Sequence, residues 1–305
     1  MTVLSIGECM AELAPTATQG EYRLGFAGDT FNTAWYLRQI APEMPVGYLS
    51  AVGDDPLSAD LLAFMDAAGL DRSSVLQVAG KAVGLYLISL SPGERSFAYW
   101  RGQSAARGLA DDETALAQAM DQAQLIYFSG ITLAILNEAG RARLLAAIAA
   151  ARAQGKTVVF DPNLRPALWS APDAMTRTVM QAAAHSDIVL PSFEDEARWF
   201  SDGSVQATAA RYADQGAGIV VVKNGAGDVY HQSPDGSGIV PVPPVPALVD
   251  TTAAGDSFNA GFLAGHLRGQ GINDSIAGAC AVAARVVQSP GALVTLTRPA
   301  HRAAI

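Results

Sequence analysis

Chemistry in this sequence concentrates in Asp250-Thr251-Thr252-Ala253-Ala254-Gly255-Asp256-Ser257-Phe258-Asn259-Ala260-Gly261-Phe262, where small residues lead into an apolar stretch of helical period ending near Leu267. Small side chains at a helix start leave its first N–H groups exposed. Those donors and the positive end of the helix dipole suit an anion such as a phosphate in transfer. Asp256 falls in the first turn, where a carboxylate can accept the proton of a hydroxyl attacking phosphorus. The same position suits an aspartate that only caps the helix, so the segment alone leaves both roles open.

Two further polar stretches carry weaker signals. Gly28-Asp29-Thr30-Phe31-Asn32-Thr33-Ala34 opens a helix running through Arg38, and its Asp29 and Thr30 also suit plain caps. Val221-Val222-Lys223-Asn224-Gly225-Ala226-Gly227-Asp228 follows a strand, and Gly225 and Gly227 allow the close backbone approach that a nucleotide phosphate or ribose requires. A strand ending in a glycine turn is common without any ligand.

Arginine is the clue to a substrate. In Phe97-Ala98-Tyr99-Trp100-Arg101 the period of two puts Tyr99 and Arg101 on one face of a strand, and in Asp161-Pro162-Asn163-Leu164-Arg165 the arginine directly follows another strand. Two guanidinium groups converging on a pocket in an acidic protein fit a substrate carboxylate held bidentately. Either arginine alone fits ordinary surface solvation.

These groups need elements to hold them. Short β-branched runs at Val3–Ile6, Val46–Val52, Leu125–Ser129, Thr157–Phe160, Ile188–Leu190 and Ile219–Lys223 alternate with helical stretches such as Leu136–Gln154, closed by Gly155, and Pro172–Ala184. That alternation predicts an α/β protein, a mainly parallel sheet covered by helices. In Val52-Gly53-Asp54-Asp55-Pro56 the acidic residues read as a helix start. Glu12–Phe26 and Ala82–Arg101 break the rhythm with strand-like runs and a turn at Ser91-Pro92-Gly93-Glu94, and read as antiparallel strands outside the main sheet. A β lid over a small-molecule site, from about residues 10–27 and 82–105, is expected, with two surface hairpins as the alternative. No repeat or linker divides residues 1–305, so a single domain is expected.

Composition narrows the class. The chain has 305 residues, half of them hydrophobic, with 20 Lys and Arg against 29 Asp and Glu for a net charge of -9, which disfavours nucleic-acid and anionic-membrane partners. Cys9 and Cys280 form neither a disulfide framework nor a metal-ligand pattern. Nothing resembles a signal peptide or the roughly 20 apolar residues of a bilayer span, so a soluble cytoplasmic protein is expected. No G-x-G-x-x-G follows the first strand, which disfavours a dinucleotide-binding dehydrogenase.

The segment from Asp250 closely resembles the D-T-x-G-A-G-D signature of the ribokinase-like (PfkB) carbohydrate kinases, and the resemblance extends over essentially the whole chain. It implies a three-layer α/β/α fold, ATP and Mg²⁺ as cofactors, Asp256 as catalytic base, and the Ala254, Gly255 and Asp256 amides as an anion hole. Ala253 stands at the family's first glycine; alanine keeps the N–H but is expected to refuse a positive φ. By the same resemblance Gly28, Asp29 and Asn32 contact sugar hydroxyls, while Lys223, Gly225 and Gly227 match the nucleotide segment V-K-x-G-x-x-G. Gly291 and Ala292 then lie near the adenine. The family's N-x-x-E appears altered, with Ser192 and Asp195 at the matching positions, and the resemblance counts Ser192 and Gly255 among the nucleotide contacts. Asp195 is expected to order a water on Mg²⁺, with Glu194 and Glu196 as alternatives.

Both arginine segments look like the branch of this family that phosphorylates 2-keto-3-deoxygluconate. That implies Tyr86, Tyr99, Arg101 and Arg165 as contacts to a sugar acid, and transfer of the ATP γ-phosphoryl to its 6-hydroxyl. A kinase of a neutral sugar or nucleoside is the alternative, and a catalytically silent sugar-acid-binding protein a third reading that the intact Asp256 segment opposes. Lid strands with free edges predict a homo-oligomer.

Overall fold

The computed structural model describes residues 2–91 and 94–296. β1 (Val3–Ile6) enters the main sheet, β2 (Met10–Pro15) and β3 (Tyr22–Ala27) leave it as a hairpin, and α1 (Asp29–Ile40) returns to β4 (Val46–Val52). α2 (Pro56–Ala67) leads to the short β5 (Val75–Gln77), and a second hairpin pairs β6 (Leu85–Ser91) with β7 (Glu94–Trp100). Then come α3 (Glu113–Asp121), β8 (Leu125–Ser129), α4 (Gly130–Ile135), α5 (Glu138–Ala153), β9 (Thr157–Asp161), α6 (Pro172–Ala184), β10 (Ile188–Val189), α7 (Phe193–Phe200), α8 (Val205–Asp214) and β11 (Ile219–Asn224). β12 (Gly227–Ser233), β13 (Gly236–Val240), α9 (Ala254–Leu267) and α10 (Ile272–Val286) follow.

The main sheet has the order β13-β12-β11-β10-β9-β8-β1-β4-β5, parallel except for β12 and β13, whose strands the apolar runs did not predict. β4 is buried along its whole length, as a strand covered on both faces must be. One apolar layer, with Phe31, Leu37, Leu61, Phe262 and Leu263, fills one side; Leu116, Leu144, Val179 and Tyr212 fill the other.

Asp55 caps α2, accepting from the Leu57 and Ser58 amides at 3.0 and 3.2 Å, as a helix-start role requires. The helix expected over Leu136–Gln154 instead begins at Glu138: Leu136 is extended, and Asn137 caps α5 through the Gly140 amide at 2.7 Å. An asparagine side chain that offers its own acceptor competes with helix continuation there. The two irregular segments form a separate sheet of order β3-β2-β6-β7, in which β2 and β6 pair parallel and the hairpin partners antiparallel. Pro92 and Gly93 of the expected turn lie outside the described residues. Among the described residues no helix is long and apolar enough to cross a membrane, and Cys9 and Cys280 are buried free thiols.

Candidate active site

The polar residues collect where the parallel strands end at their carboxyl side, the place where open α/β sheets leave a crevice. The first turns of α1 and α9 meet there. Asn32 Nδ2 donates to Asp256 Oδ2 at 2.8 Å, Asn32 Oδ1 accepts the Gly28 amide at 3.3 Å, and the Thr33 hydroxyl lies 3.1 Å from the Asp256 carbonyl oxygen. Asn32 thus holds Asp256 in place. Asp29 likewise accepts from Asn163 Nδ2 at 2.7 Å. Gly28 has extended backbone, and a Cβ there would lie 2.0 Å from the Glu8 carbonyl oxygen, so close packing of α1 on the chain after β1 requires glycine.

Asp256 is only partly exposed, and its carboxyl is pushed up to about 8. Burial is the main cause, the Asp29 carboxylate the next and Asp161 a further one; the Asn32 hydrogen bond and the Lys223 ammonium oppose them. A carboxyl so poised can take a proton near neutral pH, as a general base must.

Ala253 corrects an expectation: it caps α9 in the left-handed region, at φ +59°. Alanine tolerates this at a cost of about 1–2 kcal/mol, partly offset by the freedom glycine would lose on folding. Ala253→Gly should therefore raise stability by about 0.5–1 kcal/mol, read by urea denaturation; an unchanged or lower midpoint would mean that the alanine methyl's packing outweighs the strain. Past it, the Ala254 N–H closes a turn on the Thr251 carbonyl at 3.1 Å. Among the described residues the Gly255 and Asp256 amides find no acceptor in the protein, so the free donors start one residue later than expected.

The small sheet brings its own groups. Tyr86 and Tyr99 stand opposite in register on β6 and β7 with ring centroids 5.9 Å apart; Tyr86 is buried and donates to Glu12, and Tyr99 is half exposed. Arg101 forms an ion pair with buried Glu8. Arg165 donates to the Leu164 carbonyl at 2.7 Å, and its Nη1 lies 3.5 Å from Asp195 Oδ2.

The three acidic candidates on α7 separate cleanly. Glu196 is fully buried and turned away, accepting from Arg211 at 2.7 Å and Tyr212 at 3.0 Å, and Glu194 points to solvent. Asp195 alone faces the cleft; burial raises its carboxyl's pKa, Arg165 opposes this, and Asp161 and Glu194 add to it. Among the described residues no three His, Cys, Asp or Glu side chains gather as a metal cage. A lone carboxylate beside a phosphate site suits Mg²⁺, which keeps several waters and takes its other oxygens from a nucleotide.

The expected nucleotide residues divide. Ser192 bridges to Lys223 between neighbouring strands. Gly225, at φ +57°, turns the β11–β12 hairpin, and a Cβ on Gly227 would lie 2.6 Å from Asn224 Nδ2. The Gly291 amide donates to Asp250 at 2.8 Å. Ala292 lies beneath the small sheet with Met10, Tyr86 and Ile88, and its carbonyl accepts from Tyr36 at 2.7 Å, so its side chain does not line an open groove. Lys223 is buried, with its ammonium on Asp161 and Asn259.

Sequence reading missed Glu8, Glu12, Tyr127, Asp161, Asn163 and Asn259. One signal was available: Asp161 and Lys223 are charges at the inner ends of otherwise apolar strands, where an unpaired charge is untenable.

A family model described as pfkB family carbohydrate kinase matches residues 2–298. The 2-dehydro-3-deoxygluconokinase of Dickeya dadantii (strain 3937) is 38% identical over 300 residues, 95% of this chain and 96% of that protein. The 2-dehydro-3-deoxygluconokinase of Escherichia coli (strain K12) is 37% identical over 298 residues, with the same coverage of 95% and 96%. The crystal structure of a PfkB protein from Polaromonas sp. JS666 superposes with a TM-score of 0.82 at 31% identity, covering 94% of this chain and 96% of that one.

Proposed function

The chain belongs to the pfkB family of carbohydrate kinases, and from that footing we propose that it phosphorylates 2-dehydro-3-deoxy-D-gluconate at the 6-hydroxyl, with ATP as donor. The observation that carries the chemistry is Asp256: a carboxyl held by Asn32 beside the Gly255 and Asp256 amides of a helix start, which have no acceptor among the described residues. In-line transfer then has its parts. Asp256 takes the 6-hydroxyl proton, the amides hold the transferring phosphoryl group, and Arg165 offsets developing charge. Mg²⁺, when bound, would neutralise phosphate oxygens, and Asp195 would order one of its waters.

For the nucleotide, Ser192, Gly225, Gly227, Gly255 and Gly291 remain the contacts this reading uses. For the sugar acid it uses Gly28, Asp29, Asn32, Tyr86, Tyr99, Arg101 and Arg165, with the small sheet as lid. Leu24 and Trp100 are exposed on that lid, and the edges of β3 and β7 are unpaired within the sheet, which supports pairing with a second copy as a homo-oligomer. Residues 1–305 act as one kinase domain in the cytoplasm on this reading.

An ADP-release screen of purified protein across sugar acids, neutral hexoses, ribose and nucleosides tests the substrate. The highest kcat/KM is expected on 2-keto-3-deoxygluconate; a tenfold preference for a neutral sugar would replace this reading with the neutral-sugar one. Asp195→Ala should raise the Mg²⁺ concentration for half-maximal activity, because a carboxylate that orders a metal-bound water tunes the ion's affinity, typically by about 10- to 100-fold. A metal titration unchanged by the substitution would remove Asp195 from the site.

A further inference from the structure

Beneath the first turn of α9 lies a charge pair that the phosphate chemistry does not use directly. Lys223 Nζ is 3.0 Å from Asp161 Oδ2 and 3.2 Å from Asn259 Oδ1. Asn259, on α9 itself and fully buried, donates from Nδ2 to Asp161 Oδ2 at 2.6 Å and to the Tyr127 hydroxyl at 3.0 Å. Asp161 Oδ1 accepts the Asn163 amide at 3.1 Å, and Asn163 in turn holds Asp29. A Cβ built on Gly255 would lie 3.6 Å from Lys223 Nζ, so the ammonium sits directly under the anion-binding turn.

The charges around Asp256 are lopsided. Asp29 and Tyr36 face it from α1, Tyr127 from β8, Asp161 from β9 and Lys223 from β11. Two neighbouring carboxylates and two phenols surround it, and Lys223 supplies the balancing cation. A buried lysine committed to two side chains is poorly placed to reach a nucleotide as well, since leaving would strand Asp161 as an unpaired buried charge.

We propose that Lys223 and Asp161 are positioning residues of the phosphotransfer: tied to α9 through Asn259, the pair fixes the turn that carries Asp256 and sets the charge the base experiences, and Lys223 does not contact the nucleotide. This deepens the kinase reading and rests on it. The pair's two members act on Asp256 with opposite sign, which a purely structural role does not require.

The experiment is a set of three variants, Lys223→Met, Asp161→Asn and their combination, read in two ways. In kinetics, Lys223→Met should lower kcat tenfold or more, with KM for ATP changed less than about threefold, and should move the acid limb of kcat/KM up by about one pH unit. Asp161→Asn, an isosteric change that leaves the ammonium in place, should move that limb down by about one unit, and the double variant should return it near the parent. Carbon-13 NMR titration of the Asp256 carboxyl in ligand-free protein, assigned by its loss in Asp256→Asn, should show the same opposite shifts without any substrate. If Lys223→Met does not fold, Asp161→Asn carries the test alone. A tenfold rise in KM for ATP with an unmoved limb would make Lys223 a nucleotide contact and overturn the proposal, as would identical carboxyl titrations in all variants. Opposite NMR shifts in a protein that turns over no sugar acid would leave the pair's role standing and remove the substrate reading.

Discussion

Asp256→Asn should reduce turnover by about 10²- to 10⁴-fold, the usual contribution of a positioned base, while ATP binding changes little. An amide oxygen can still accept from Asn32, so the α1–α9 contact at 2.8 Å survives the substitution. The carboxyl, pushed up to about 8, also fixes two pH dependences. Because the base acts deprotonated, the parent's kcat/KM should rise with pH through a limb near 8 and then level, and the limb should vanish in the variant's residual activity. Stability should run the other way. A carboxyl whose folded pKa is raised binds a proton in the folded state but not in the unfolded one between pH about 4 and 8, so stability falls as pH rises through that window. Asp256→Asn should remove that slope and be more stable than the parent above pH 8. Steady-state kinetics, calorimetric ATP titration and urea denaturation across pH check all three; a variant keeping more than about a third of parent turnover would make Asp256 a helix cap and place the base elsewhere.

Arg101→Ala separates a sugar acid from a neutral substrate. Loss of a charge-assisted hydrogen bond of about 1.5–3 kcal/mol should reduce kcat/KM for 2-keto-3-deoxygluconate roughly ten- to a hundredfold. Any slow activity on a neutral hexose should barely change, because that sugar makes no such contact. Arg101→Lys should restore part of the loss, since an ammonium keeps the charge but not the planar fork. The ion pair with Glu8 adds a requirement: truncating Arg101 alone leaves a buried carboxylate unpaired, which costs about 3–5 kcal/mol of stability. The kinetic comparison therefore belongs on a Glu8→Gln background, where both forms avoid that charge. Equal losses on acidic and neutral sugars would assign Arg101 to supporting the lid and withdraw the carboxylate inference.

The sequence by itself determined what local physics encodes. Runs such as Val46–Val52 and Leu125–Ser129 are strands because continuous β-branched and apolar residues suit a sheet covered on both faces. Asp55 before Pro56 starts a helix, and small residues before an apolar stretch place Asp256 in a first turn. Family resemblance added the cofactor and the substrate class to that frame. Tertiary structure decided whatever depends on partners far apart in the chain. Asn32 meets Asp256 across 224 positions and Asp161 meets Lys223 across 62, and no spacing rule reports such encounters. Glu194, Asp195 and Glu196 are equivalent as letters; the 3.6-residue turn of α7 sends one to solvent, one to the cleft and one into the core beside Arg211. Ala253 shows the same limit in the backbone: alanine disfavours a positive φ by about 1–2 kcal/mol, and that preference yields to the packing that joins α9 to the small sheet.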